Sequence, residues 1–215
     1  MNDAPAAYWR LGEATKTGVA KDSTDNDHDG AYQGSVEVGA PGAVDGDTAA
    51  SFDGRGGQVL IADIFDFAGT AQFSIEAWVA PAVFGVTYRH IVDNRFDTPD
   101  GKQGYVLFVR EGELSFERYR NNIVEAAKVS SLPPIPVDAF SHVVAVYDGE
   151  SMLLYVDAVP LATSPAPQAL ATSPEPFVVG ANGKGSNEFY GLIDEVAIYD
   201  FPLGQNRIQQ HFDAR

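Results

Sequence analysis

The 215-residue chain contains no cysteine. That absence excludes disulfides, thiol nucleophiles and thiolate metal sites together. No run of 18 apolar residues occurs, so no segment reads as a membrane-spanning helix. Positive charge is scarce: 14 Lys and Arg face 30 Asp and Glu, for a net charge of −16. Such a field opposes nucleic acid, which is excluded as an expected partner, and suits divalent cations. The opening MNDAPAAYWR has neither the basic nor the apolar region of a signal peptide. Helical periodicity is almost missing.

What is present is a β pattern. Apolar residues make up 45% of the chain, enough for a substantial core. Segments 73–81, 89–96, 104–120, 141–160 and 175–183 are rich in Val, Ile, Phe and Tyr, and Gly, Asp and Pro punctuate them. YVLFV-REGE-LSFER and HVVAVYD-GES-MLLYVDA read as hairpins, each with a short glycine-containing turn. Residues 7–11, 57–63 and 191–200 are further strand candidates. Only PLGQNRIQQHF (202–212) predicts a helix, with proline near its start and Ile208 and Phe212 on one face. Many strands and one terminal helix predict a single all-β domain over 1–215, a two-sheet antiparallel sandwich. The proline-rich stretches 131–138 and 164–176 are short and read as loops. Trp9 and Trp78 lie in apolar surroundings and read as core anchors.

DSTDNDHDG (22–30) has the first half of an EF-hand loop, because Asp25, Asp27, Asp29 and Gly30 fall in register. Position 12 is Val36 rather than Glu, and AYQGSVEV after the glycine alternates like a strand. The stretch reads as a polar turn, whose Asp and Asn side chains bond their own backbone.

Several segments occur in a particular order: AAYWRLGE, GAVDGDTAASFDGRGGQVLI, FSIEAWVAP, FSHVVAVYDGESMLLYVDAVPLATS and GLIDEVAIYDFPLGQNRIQQHF. Over nearly the whole chain this order resembles the laminin-G-like jelly-roll domains of bacterial extracellular proteins, within the concanavalin-A-like lectin/glucanase superfamily. The resemblance implies a jelly-roll sandwich, an extracellular or cell-surface location, and a structural calcium. It implies a carboxylate ligand at Asp194 and carbonyl ligands near Arg10 and Gly54. The residues leave a second possibility, that Asp194 instead bonds backbone amides or Arg10.

The fold includes glycoside hydrolases, which need two carboxylates about 5 Å apart. On the strand expected to carry them, Tyr105, Leu107 and Val109 stand where acids are required. Asp194 and Glu195 are adjacent, and strand alternation should aim them at opposite faces. Glu76 is isolated in sequence, and His28, His90, His142 and His211 are scattered. These features predict a non-catalytic carbohydrate-binding or adhesion module of a larger protein. The alternatives are a protein-interaction or spacer domain, or a hydrolase or lyase. Residues 88–128 hold seven of the 14 Lys and Arg. Tyr105, Arg118, Tyr119 and Arg120 are the candidate ligand-binding residues there, with Asn121 beside them, for a polysaccharide or other glycan of anionic character. The same arginines alternate with Glu111, Glu113, Glu117 and Glu125, and read also as a solvated, ion-paired face.

Overall fold

The computed structural model describes residues 4–15, 18–120, 123–128 and 134–214. Asn121 and part of the 131–138 segment lie outside the described residues. The N-terminal third forms β1 (Ala7–Trp9), β2 (Val19–Ala20), β3 (Gly30–Gln33), β4 (Val36–Pro41), β5 (Thr48–Asp53) and β6 (Gln58–Leu60). The long central strands follow: β7 (Phe73–Pro81), β8 (Arg89–Thr98), β9 (Gly101–Arg110), β10 (Glu113–Arg120) and β11 (Ile123–Lys128). The remainder is β12 (Ser141–Tyr147), β13 (Ser151–Val156), β14 (Val159–Pro165), β15 (Val178–Val179), β16 (Tyr190–Tyr199) and α1 (Gln205–Asp213).

Every pairing is antiparallel, and the strands divide into two sheets. The first runs β14-β13-β12-β7-β16-β5-β4, with β1 added on β16; the second runs β11-β10-β9-β8-β15-β6-β3-β2. Both expected hairpins form, with Arg110 opposite Glu113 and Tyr147 opposite Met152. The stretch 141–160 holds more than one hairpin. Asp157 and Ala158 both take positive φ, and the chain turns back there into the edge strand β14. Two consecutive left-handed residues make the turn whose twist matches that of the flanking strands.

Alternation sorts the side chains. Along β7, Phe73, Ile75, Ala77 and Val79 enter the core between the sheets, while Ser74, Glu76 and Trp78 face outward. The core is bridged by rings: Trp9 stacks on Phe177 at 5.7 Å, and Phe73 packs on Phe67 at 4.4 Å and Tyr105 at 4.8 Å. Trp9 is therefore the interior anchor the sequence predicts. Trp78 is buried as well, but on the outer face of the first sheet, stacked on Phe212 of α1. That face is a second, smaller core of Val144, Val146, Tyr155, Tyr199, Leu203 and Ile208. The lead-in to α1 is pinned there, as Leu203 N–H donates to Ser74 Oγ and Ser74 O–H donates to the Phe201 carbonyl.

The turn between β2 and β3 is held by one side chain. Asp22 is buried, and its carboxylate accepts the N–H groups of Tyr8, Thr24 and His28 and the Thr24 hydroxyl. Asp29 accepts Asp22 N–H, and Trp9 Nε1–H donates to the His28 carbonyl. The aspartates thus satisfy backbone donors of their own segment and of β1. Asp22→Ala leaves several of these without an acceptor and should cost about 2 kcal/mol in urea unfolding. Asp25→Ala, at an exposed position, should cost under about 0.5 kcal/mol.

Candidate functional site

Three groups of chemistry-bearing side chains stand out, and two were hidden by sequence distance. The first lies where β16 meets the turn before β5. Ile193 and Val196 both enter the core although they are three residues apart. An odd spacing on one face requires an extra residue, and the β16–β7 register shifts between Asp194 and Ala197, with Glu195 at φ 51°. The expectation that Asp194 and Glu195 diverge is therefore wrong: the bulge turns both outward. Together with Asp47 they form a triad in which one carboxylate oxygen of each residue lies within 4.8 Å of the others.

The triad is charge-crowded, with Asp194 and Glu195 buried and Asp47 partly so. Burial pushes Asp194 up to about 6, partly opposed by the N–H of Ala43, and pushes Glu195 up to about 7. Asp194 Oδ2 accepts Ala43 N–H at 2.8 Å, while the buried Oδ1 has no hydrogen-bond partner among the described residues. Two glycine backbones make room for the carboxylates. A Cβ on Gly42 would stand 2.9 Å from Asp194 Oδ2, and one on Gly12 would stand 2.7 Å from Asp47 Oδ1. Arg10 touches the group three times: its guanidinium pairs with Asp47 and, at 3.3 Å, with Glu195, and its carbonyl accepts Glu195 N–H. Asp194 thus accepts a backbone amide, as the second of the sequence's readings has it. Oxygen ligands on opposite sides of a calcium ion lie about 4.8 Å apart, so the donor set, its spacing and the orphan oxygen fit such an ion. Gly54 does not belong to the group. It follows the far end of β5, where Asp53 pairs with Tyr190, while Asp194 lies near the start of that strand. Five strand residues separate them, about 16 Å.

The second group is the outward face of the second sheet. Here β9 presents Val106 and Phe108 outward and buries Tyr105, Leu107 and Val109 in the core. The outward positions are one residue away from those the sequence suggested, but they are equally apolar. Tyr105 and Arg118 are corrections. Tyr105 is fully buried and donates its hydroxyl to the Phe65 carbonyl at 2.7 Å. Arg118 is also fully buried, with its guanidinium 3.5 Å above the Tyr147 ring and donating to the Ala166 and Gln168 carbonyls. Leu114, Phe116 and Arg118 share the inward side of β10, so Arg118 cannot meet a surface ligand. Tyr119 lies on the outward face but is only 6% exposed, its ring covered by Arg95 and Lys102, while Arg120 is exposed at the strand's end. Around Tyr119 the structure gathers residues from three strands. Arg95 and Lys102 lie 5.5 and 5.4 Å from its ring centroid, and its hydroxyl donates to Glu117. Arg95 also clasps Asp93, which accepts from His90 at 2.7 Å. Burial alone would raise Asp93, but His90 and Arg95 outweigh it and hold the carboxylate low. Arg110, stacked on Tyr88 at 4.8 Å, and the Arg110–Glu111 pair continue this face as the solvated network also expected.

The third group surrounds Glu76, which is not isolated in space. His142 Nε2 lies 2.5 Å and His211 Nδ1 2.9 Å from its carboxylate, and Tyr199 donates to it at 2.9 Å. Burial would raise this acid, yet the two histidines outweigh that and bring it down to about 2. Nothing in the sequence links residues 76, 142, 199 and 211, because sheet order alone brings β7, β12, β16 and α1 together.

Among solved structures, the fold is shared with domain 4 of AbnA, an extracellular arabinanase from Geobacillus stearothermophilus solved with arabinotriose. The TM-score is 0.72 at 17% identity, over 96% of this chain and 97% of that one. The binding domain of Paraclostridial Mosquitocidal Protein 1 matches with TM-score 0.74 at 14% identity, over 97% and 51%. The botulinum neurotoxin serotype D ligand-binding domain, solved with N-acetylneuraminic acid, matches with TM-score 0.72 at 12% identity, over 100% and 52%. The present chain spans about half the length of those two toxin chains. No curated protein sequence matches. Residues 53–209 match the family model of the concanavalin A-like lectin/glucanases superfamily, and with its two-sheet antiparallel sandwich the chain belongs to that superfamily.

Proposed function

We propose that the chain is a non-catalytic carbohydrate-binding or adhesion module of a larger extracellular bacterial protein, and that it holds an acidic glycan on the outward face of the second sheet. The observation that carries this reading is the arrangement at Tyr119, where one aromatic ring lies within 6 Å of two cationic groups on an otherwise acidic protein. Guanidinium and ammonium groups match carboxylate or sulfate, and the buried Tyr119 ring beneath them fixes where the two cations sit. Between the cations Lys102 and Arg110, the outward positions Val106 and Phe108 of β9 are apolar and offer no carboxylate. Similarity to domains solved with arabinotriose and with N-acetylneuraminic acid supports a sugar partner, with only the fold in common. No helix among the described residues is long and apolar enough to cross a membrane.

A structural calcium completes the reading. It would be held by Asp47, Asp194 and Glu195, with the Arg10 guanidinium giving way, and would supply the charge that the orphan oxygen lacks. The glycan reading is tested by titrating the domain with uronic-acid oligosaccharides. Tyr119→Ala and Lys102→Ala should each weaken binding roughly tenfold, and rising salt should weaken it further. Binding that ignores both substitutions, or no retention of any acidic or neutral sugar, favours a protein-interaction or spacer domain.

A further inference from the structure

A small pocket of about 110 Å³ lies on the outward face of the second sheet, where β8 turns into β9. Strand β8 supplies Arg95 and Asp97 to it, β9 supplies Lys102, and the segment after β15 supplies Asn182 and Lys184. The three cations converge on Asp97. It stands directly opposite Lys102 in the β8–β9 register and two residues beyond Arg95 on the same face, and it accepts from Lys184 Nζ at 2.6 Å. Lys184 chiefly, with Lys102 and Arg95 adding to it, holds the Asp97 carboxyl below the usual carboxylate range.

We propose that this pocket seats the carboxylate of a uronic-acid residue, and that Asp97 is a built-in stand-in which the ligand displaces. The inference rests on the glycan-binding reading and names the acidic group and the seat it takes. Arg95 and Lys102 are the two cations beside Tyr119, so the pocket is continuous with that face. Asp97 shows that a carboxylate fits there at hydrogen-bonding distance, which assigns carboxylate rather than sulfate. It is also replaceable. The Lys184 and Asp97 side chains are 64% and 51% exposed, and an exposed pair contributes little. The lining holds three acids, Asp93, Asp97 and Glu175, against the three cations, so entry by exchange with Asp97 leaves the charge balance unchanged. Asp93 does not compete for this role, because it is buried and clasped by His90 and Arg95. The seat is ordered before a ligand arrives. Asn182 Oδ1 accepts the N–H groups of Lys184 and Ser186, and Asp93 Oδ2 accepts from Arg95 Nε and Nη2, so little entropy is lost on binding. A volume of this size holds about four water molecules. It takes one substituent and leaves the sugar ring outside, along the face.

The test is calorimetry at low salt with three ligands of equal length: a uronic-acid trimer, its methyl ester and a sulfated neutral trimer. The uronic-acid trimer should bind about tenfold more tightly than the ester, which keeps the ring and loses the charge, and about threefold more tightly than the sulfated trimer. Lys184→Ala should weaken it roughly fivefold. Asp97→Asn should tighten it roughly threefold, because the competing carboxylate is gone. A purely structural role for the Asp97–Lys184 pair would instead make both substitutions weaken binding. Equal binding of the ester or of the sulfated trimer, no gain in Asp97→Asn, or indifference to Lys184→Ala overturns the proposal. Tyr119→Ala and Lys102→Ala separate the two readings. If they weaken the trimer while Lys184→Ala does not, the seat fails and the glycan face stands; if no trimer binds the native domain, both fail.

Discussion

Replacing Glu76 with glutamine should lower the unfolding free energy at pH 7 by about 3 kcal/mol, and the deficit should close as pH falls from about 4.5 to about 2. The sign follows from the direction of the shift. A carboxyl whose folded value lies below its unfolded value stabilises the fold above the unfolded value, and loses that contribution as pH drops through the folded one. Glu76 is almost completely buried, so solvent does not screen its interactions. Glutamine keeps the shape but removes the charge that holds His142, His211 and Tyr199, and with His211 the last turn of α1. Urea unfolding of both proteins from pH 2.5 to 7 gives the comparison. A deficit that is constant across this range would place its origin in packing rather than in the ionised acid.

Calcium should act over a different pH window. In chelator, Asp194 and Glu195 carry folded values raised to about 6 and about 7. Groups raised in this way favour the fold when protonated, so their contribution is complete below about pH 4 and is lost as pH rises through 6 and 7. The metal-free domain should therefore weaken toward neutrality, and a divalent cation should reverse the trend by replacing the proton. At about a hundred times its dissociation constant, calcium adds about 2.7 kcal/mol. For a domain of this size that raises the Tm by about 5–10 °C. Asp194→Asn should abolish the rise, whereas Gly54→Ala should leave it intact, because Gly54 is remote from the triad. A Tm that does not respond to calcium in the stripped protein contradicts the metal assignment.

The sequence made the layered architecture legible because it rests on short-range signals. The alternation in FSIEAWVAP and the glycine turns at 111–112 and 148–149 specify strands and hairpins without knowledge of the rest of the chain. The site was harder to read because it depends on exceptions to alternation. Tyr105 and Arg118 look like surface candidates beside Tyr119, yet β9 and β10 turn them inward, where Tyr147 and two carbonyls help to hold Arg118. Asp194 and Glu195 look divergent until the bulge at Glu195 is seen, and its φ of 51° has no marker in GLIDEVAIYD. Asp47, lying 147 residues before Asp194, joins them only because β5 pairs with β16. The polar stretch at 22–30 was readable as a turn, but not its consequence, the anchoring of β1 through Asp22.

The central claim is that the outward face around Tyr119 holds a glycan and leaves it chemically unaltered. Mass spectrometry of a uronic-acid oligosaccharide eluted from the immobilised domain tests this most directly. The account predicts a ligand retained by the native protein, released by Tyr119→Ala and Lys102→Ala, and recovered at its original mass. Recovery of shortened or unsaturated fragments would contradict it.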